Sequence, residues 1–408
     1  MKINISRPST EINSFISLPS SKSISNRILI IRALCEEKIR VKNISKSRDS
    51  EVLIHAFNNL EDNVIDIGAT GTAMRFLTAF LSIRPGERIL TGSERMKQRP
   101  IHELVNILRE LGAQIDYSEK EDYPPLKITG TKLHAKPISI KGNISSQYIS
   151  AILMISPYLE QDLEIQVTEK ILSKDYICMT IKLMQQFGID VEWNENIIKV
   201  KSGKYIGGEV IIESDWSAAS YWFEIISLCQ NSMVELTGLK KNSLQGDSVL
   251  TELYKTIGVD SVFTNFGIRI KNIPTTCTFF EYDFIDCPDL AQTIAVTLVA
   301  KKIPFKLTGL DNLSIKETDR IQALILEFEK FGIHLKSESN TTLEWNGNES
   351  MSVPSNHIVE TYEDHRMALA FAPLSLITGK FAINDPDVVI KSYPKYWEDL
   401  KSVGFEIR

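Results

Sequence analysis

Apolar residues recur along this chain in two helical patterns. In one they line a single face. Ile101, Leu104, Val105 and Leu108 stand at i, i+3, i+4 and i+7, and Ile321, Leu324, Ile325 and Phe328 repeat that spacing. The period predicts an amphipathic helix with a polar outer face. In the other pattern apolar positions run most of the way round: "SNRILIIRALCEE", "TAMRFLTAFLSI", "SQYISAILMISPYL", "WSAASYWFEIISLC", "DLAQTIAVTLVAKK" and "DHRMALAFAPLSLI". A helix without a polar face belongs inside a core. Alternating segments such as "AQIDY" and "IDVEW" follow the amphipathic helices and predict strands. Gly112, Gly188, Gly258, Gly332 and Gly404 stand where those helices end, a position that suits a left-handed residue.

The two helix types alternate with a long period. Similar stretches of β-rich segment, polar connection and amphipathic helix begin at Ile39, Ile89, Leu163, Val234, Phe305 and Phe381. The starts lie 71 to 76 residues apart, except for a first gap of 50. A fixed period of this length marks a repeated supersecondary unit. Six units suggest two domains of three, with a cleft between them as the default site for a small ligand. The short first gap implies that the first unit lacks a strand or two.

The helix starts carry the chemistry. Each apolar helix opens on polar or charged residues, and N-termini gathered in one place would bind an anion strongly. Plain helix caps would leave the same pattern, and both readings stay open. The amphipathic helices are predicted to begin near Ser50, Pro100, Lys174, Gln245, Lys316 and Ser392. Arg99, Ser173, Lys316 and Lys391 stand at or beside those starts, so basic and hydroxyl groups track the repeat.

Composition narrows the partners. The chain has 408 residues, 43% apolar and 24% charged, with a net charge of −6 and no basic block. That balance is a globular one and argues against a nucleic-acid partner. The five cysteines (35, 178, 229, 277 and 287) form no C-x-x-C pair, and reduced, mostly buried thiols in a cytoplasmic protein are expected. The six histidines lack metal-ligand spacing. "MKINISRPSTEI" is too polar for a signal peptide, and no apolar run reaches membrane-spanning length. No metal and no cofactor is expected, and no covalent nucleophile stands out.

The candidate anion binders are Lys22, Arg27, Arg75, Arg99, Lys316, Arg320, Arg366 and Lys391. "GATGTAMRF" (68–76) sets glycines at a helix start but is not a P-loop. "SSQ" (145–147) offers two hydroxyls and an amide at another start. In "IKETDR" (315–320), Lys316 and Arg320 crowd a first turn where cations oppose the helix dipole unless an anion is bound. Asp289 in "CPDLAQT" and Asp364 in "EDHRMALAF" open helices as caps or as acid/base groups. Several cations beside two candidate acid/base carboxylates, Asp289 and Glu317, suit a multiply anionic substrate pair and proton transfer between its members.

"LPSSKSISNR", "GTAMR", "RMKQRPI", "SSQY", "SKDY", "SLQGD", "PDLAQT", "IKETDR", "YEDHRMA" and "VIKSYP", in this order and spacing, resemble the 5-enolpyruvylshikimate-3-phosphate (EPSP) synthase family over nearly the whole chain. The resemblance implies an α/β protein of the two-domain enolpyruvyl transferase fold. That fold is an inside-out α/β barrel of six βαβαββ-like repeats, three per domain, here with the first repeat truncated. It implies an N-terminal lobe over 19–214, a C-terminal lobe of 1–18 plus 215–408, an active site in the interdomain cleft, domain closure on binding, and a monomer. The implied reaction moves the enolpyruvyl group of phosphoenolpyruvate to the 5-hydroxyl of shikimate 3-phosphate.

By the same resemblance Asp289, Glu317 and Lys22 are catalytic. Lys22, Ser23, Arg27, Ser145, Ser146, Gln147, Ser173, Tyr176, Asp289, Asn312 and Lys316 bind shikimate 3-phosphate, with Ser23 and Arg27 on its carboxylate. Lys22, Gly71, Arg99, Gln147, Arg320, Arg366 and Lys391 bind phosphoenolpyruvate, with Arg320 and Arg366 clamping its carboxylate. The chain departs from the family pattern at Ala69 and Phe76, where asparagine and proline are usual, at Ser314, where a basic residue is common, and at Ser20 and Ser21, where a glycine is common. The sister family acting on UDP-N-acetylglucosamine fits less well, because Ser23 replaces its asparagine and "GSERMKQRP" lacks its cysteine. A non-catalytic phosphometabolite-binding repeat protein would have no need of Asp289 and Glu317.

Overall fold

Six apolar helices form the interior: Lys22–Leu34, Gly71–Ile83, Ser146–Ile155, Trp216–Leu228, Ala291–Ala300 and His365–Phe371. We call these the first to sixth inner helices. The computed structural model describes residues 1–6, 11–352 and 357–408. Burial follows the sequence pattern closely. Every residue of the fifth and sixth inner helices is buried, and in the fourth only Ser217 is not. Each fully buried large apolar side chain contributes about 1.5–3 kcal/mol, so these helices anchor the core.

The chain divides into two compact units, residues 1–20 with 213–408 and residues 21–212. In the unit 21–212, Val64–Asp66 and Gly86–Thr91 run parallel on either side of the second inner helix. The outer helix His102–Glu110 follows, and Gln114–Tyr117 and Leu126–Gly130 then complete the sheet antiparallel. This is a βαβαββ unit. The third repeat has the same plan, with Ile138–Lys141 parallel to Leu163–Thr168, and Val191–Asn194 and Ile197–Val200 closing the sheet. Strands alternate buried and exposed positions, as in Ile138–Lys141, so each sheet turns one face to the helices and one to solvent.

In the unit formed by 1–20 and 213–408, the fifth inner helix joins the parallel strands Phe280–Asp283 and Phe305–Thr308. The sixth joins Ile358–Val359 and Phe381–Asn384, whose sheet also takes Lys2–Ser6 and Glu406–Ile407. Two strands are exchanged. Asn13–Ser17 leads into the first inner helix but pairs, parallel, with Met233–Thr237. Gly208–Ile211 leads into the fourth inner helix but pairs, parallel, with Ile39–Lys42. The exchange leaves the first repeat with a two-stranded sheet where its counterparts have three or four. Its outer helix Arg48–Asn58 is followed not by a hairpin but by the opening strand of the second repeat.

The outer helices are Arg48–Asn58, His102–Glu110, Lys174–Gln186, Leu250–Ile257, Arg320–Lys330 and Tyr396–Ser402. Lys174 begins its helix as expected; the last three begin four or five residues later than the repeat spacing predicts. A 3-10 turn, Gly246–Val249, precedes Leu250, and Asp319 caps the fifth by accepting from the Gln322 N–H at 3.1 Å. Pro394 biases Tyr393 away from helix, delaying the sixth. All five helix-ending glycines take positive φ, Gly258 at 116°. The five cysteines form no disulfide; two are buried and three half-buried, fewer buried than expected. Among the described residues no helix is long and apolar enough to cross a membrane.

One residue breaks the interior pattern. Glu224 lies in the fourth inner helix at 0% exposure, and neither carboxylate oxygen has a hydrogen-bond partner among the described residues. Burial pushes its pKa well above the ordinary carboxylate range. The folded state therefore keeps a proton that the unfolded chain releases near pH 4.3, so Glu224 lowers stability as the pH rises above about 4. Glu224→Gln, which cannot ionise, is expected to lose less stability than the parent between about pH 4 and pH 8. Denaturant midpoints measured across that range check this; parallel curves would contradict it.

Candidate active site

In the unit 21–212 the inner-helix starts hold most of the expected groups. Ser21 caps the first inner helix, accepting from the Ile24 N–H at 3.4 Å. Lys22 follows and pairs with the buried Asp49 at 3.4 Å. One turn on, Arg27 is buried among Ser23, Ser150, Tyr176 and Thr180. Burial pushes its guanidinium down to about 10, which leaves it charged at neutral pH. At the second inner helix, a methyl group on Gly71 would come within 2.7 Å of Nη1 of both Arg75 and Arg99. Two guanidinium groups thus converge on the Gly71 backbone. Arg75 Nη1 also donates to Gln147 Oε1 at 2.8 Å, and Gln147 Nε2 donates to Thr72 Oγ1 at 3.2 Å.

Ser145 caps the third inner helix through the Gln147 N–H at 3.3 Å, and Ser146 beside it is buried. Ser173 is buried before the outer helix Lys174–Gln186 in a left-handed conformation, φ 57° and ψ 46°, and its side chain makes no cap bond. That conformation is costly for a serine. Tyr176 lies on the same first turn and accepts from Arg27 Nη2 through its carbonyl at 3.2 Å.

The unit 1–20 with 213–408 holds a network centred on Arg320. Nε donates to Asp364 at 2.7 Å, Nη1 to Asp289 at 2.9 Å and Nη2 to Glu317 at 2.9 Å. The second Asp289 oxygen takes Arg366 Nη2 at 2.7 Å, and Arg366 Nη1 donates to Tyr221 Oη at 3.2 Å. The second Glu317 oxygen takes Lys391 Nζ at 2.5 Å. Asp364 caps the sixth inner helix through the Arg366 N–H at 2.8 Å. Asp289 sits in the 3-10 turn Pro288–Leu290, and its two oxygens meet Arg320 and Arg366. Lys316 and Asn312 flank the turn Leu313–Ile315 before Glu317.

Charge sets the protonation states. Burial alone would raise Glu317, but Lys391, Arg320 and His365 outweigh it and hold the carboxyl well below its usual range. Burial lowers Lys316, against the pull of Asp289. Burial and the Asp289 charge push the buried Asp247 up to about 7, while Ser217 donates to it and pulls the other way. Burial pushes Tyr221 up to about 12.

A family model described as EPSP synthase (3-phosphoshikimate 1-carboxyvinyltransferase) matches residues 6–64 and 54–400. A protein of Bacteroides fragilis named 3-phosphoshikimate 1-carboxyvinyltransferase is 47% identical across 100% of this chain and 99% of its own length. One of the same name from Vibrio vulnificus is 34% identical, covering 98% of both. The chain belongs to the EPSP synthase family. Its fold agrees: the solved EPSP synthase of Acinetobacter baumannii superposes with a TM-score of 0.81 over 100% of both chains at 21% identity.

Within this EPSP synthase family chain, Arg27, Gln147, Ser173, Tyr176, Gly71 and Arg99 lie in one unit, and Asp289, Glu317, Lys316, Arg320, Arg366 and Lys391 in the other. Arg320 and Arg366, expected to clamp a substrate carboxylate, both hold the Asp289 carboxylate. Four further contributors were not singled out as site residues. Asp49 stands in a plain amphipathic helix and gives no signal in the sequence. Asp247 closes the "SLQGD" motif, and Tyr221 lies in an apolar run that reads as core. Arg75 stood among the cations but without a role.

The Gly71 geometry makes a prediction. The atoms a new methyl would meet are mobile arginine ends, so Gly71→Ala should fold with little change in thermal midpoint. Displacing charged donors should raise KM for phosphoenolpyruvate about tenfold or more. Steady-state kinetics with the second substrate saturating checks this.

Proposed function

We propose that this protein transfers the enolpyruvyl group of phosphoenolpyruvate to the 5-hydroxyl of shikimate 3-phosphate, releasing inorganic phosphate. The observation that carries the reading is the chain-long match to relatives named for this activity, 47% identical in the first case. The carboxylate–arginine network around Arg320 supports it chemically.

The methylene carbon takes a proton, the 5-hydroxyl oxygen bonds to C2, and the hydroxyl proton leaves to a base. The tetrahedral intermediate then loses phosphate from C2 and the added proton from the methyl carbon. In this reading Asp289 accepts the hydroxyl proton, and Glu317 gives and retrieves the carbon proton. Glu317 between Lys391 and Arg320 is a carboxylate, ready for the second step but not for the first. A substrate phosphate that draws Lys391 away removes the largest of the charges holding Glu317 ionised, and its proton affinity rises. A substrate carboxylate at Arg320 and Arg366 likewise loosens their hold on Asp289. Lys22 assists from the phosphate side. Ser23 and Arg27 hold the shikimate carboxylate; Ser145, Ser146, Ser173 and Lys316 hold its phosphate; Gln147, Tyr176 and Asn312 line its ring. Gly71, Arg99, Gln147 and Lys391, with Lys22, hold the phosphoenolpyruvate phosphate.

The protein acts in this reading as a cytoplasmic monomer on small molecules alone. A net charge of −6 without a basic block supports the exclusion of a nucleic-acid partner.

Phosphate release is expected only when phosphoenolpyruvate and shikimate 3-phosphate are both present. UDP-N-acetylglucosamine in place of the latter should yield none, and the reverse result would overturn the assignment. Asp289→Ala and Glu317→Gln should each cut turnover about a hundredfold or more while changing ligand affinity less than about tenfold. Equal losses in turnover and binding, measured by kinetics and calorimetry, would remove both from acid/base roles.

A further inference from the structure

The Arg27 guanidinium is surrounded by groups without negative charge. Nε donates to Thr180 Oγ1 at 2.6 Å and Nη1 to the Ser23 carbonyl at 3.0 Å. Nη2 donates to Ser150 Oγ and to the Tyr176 carbonyl, both at 3.2 Å. Four of its five N–H donors are thereby engaged by neutral oxygens, leaving one on Nη1. Among the described residues no carboxylate pairs with it. A buried cation without a counter-charge is costly, and aromatic faces are one of the few neutral compensations available. Two are present: the guanidinium carbon lies 5.5 Å from the Phe76 ring centroid and 5.7 Å from that of Tyr176.

Phe76 is 0% exposed in the second inner helix, directly after Arg75 and one turn beyond Gly71 and Thr72. It occupies the position where the family pattern carries proline, which has no π face. The ring therefore ties the helix that begins at Gly71 to the arginine of the first inner helix. We propose that Phe76 is a positioning residue for Arg27, its ring face holding the guanidinium so that the remaining Nη1 donor meets the carboxylate of the cyclic phosphorylated substrate. This rests on the assignment of Arg27 to that carboxylate under the proposed function. The consequence is that carboxylate recognition in this chain depends on an aromatic ring at position 76.

The test replaces Phe76 in the full chain by mono-, di- and trifluorinated phenylalanine, which preserve ring shape while weakening its negative face, and by Phe76→Leu. Calorimetry measures binding of shikimate 3-phosphate and of its analogue with the carboxylate reduced to an alcohol. Affinity for the carboxylate ligand should fall stepwise with fluorination, reaching about five- to thirtyfold, while the alcohol changes less than about twofold. Phe76→Leu should match the most fluorinated ring. If both ligands weaken together, or neither follows fluorination, Phe76 is a packing residue and the proposal is overturned. Arg27→Ala separates the two claims. If it weakens the carboxylate ligand while the Phe76 series is flat, only the proposal falls. If it leaves that ligand unchanged, the assignment of Arg27 falls and takes the proposal with it.

Discussion

Six helices without a polar face have to be covered on all sides, and the rest of the molecule follows from that constraint. Within each unit the strands and amphipathic helices cover the inner helices, and a sheet with one apolar face is the cover that fits. In a helix buried along its length the free backbone N–H groups lie at its start, and a charged side chain further in, such as Arg27 or Glu224, is buried with it. The caps Ser21, Ser145, Asp215 and Asp364 all stand at such ends. So do Lys22, Gly71, Gln147 and Arg366. Candidate binding groups cluster near helix starts, where backbone N–H groups are free, and a charge set deeper in the inner layer, as at Arg27, bears a desolvation cost.

The two units meet that cost differently. Around Arg320 the charges neutralise one another: three carboxylates surround one guanidinium, and Arg366 and Lys391 close the outer valences. Such a network is held by geometry, since each desolvated charge is tolerable only beside its partner. Around Arg27 there is no such balance; hydroxyls, carbonyls and rings hold a cation whose charge remains uncompensated. The first arrangement sets the proton affinities of Glu317 and Asp247. The second leaves a positive charge for a ligand to satisfy.

The exchanged strands make one unit discontinuous in sequence, 1–20 with 213–408, and leave the other continuous, 21–212. Asn13–Ser17 and Gly208–Ile211 each complete a sheet in the unit that their own following helix does not enter. Both pairings close long loops: Ile39–Lys42 waits for Gly208–Ile211 at the far end of the same unit, and Asn13–Ser17 waits for Met233–Thr237 beyond the whole segment 21–212. Such pairings are slow to find, because the loop closure comes before the contacts that reward it.

Much was determined by the sequence alone, because burial leaves a periodic imprint. Apolar period, helix-ending glycines and repeat length pointed to the six inner and six outer helices, and the short first gap announced the missing hairpin. Motif order identified the family and nominated the candidate site residues, since helix starts are local features that single residues such as Asp364 and Ser145 specify. Helix boundaries in the last three repeats were decided instead by 3-10 turns and a proline, which periodicity does not register.

Only the tertiary structure decided the partners. That Asp49 meets Lys22, that Tyr221 and Asp289 share Arg366, and that Phe76 backs Arg27 are contacts between segments far apart in the chain. An aspartate on an amphipathic helix, or an aromatic in an apolar run, reads the same in sequence whether it meets solvent, core or charge. The fold alone brings the second group near, and with it the charge that sets what the first can do.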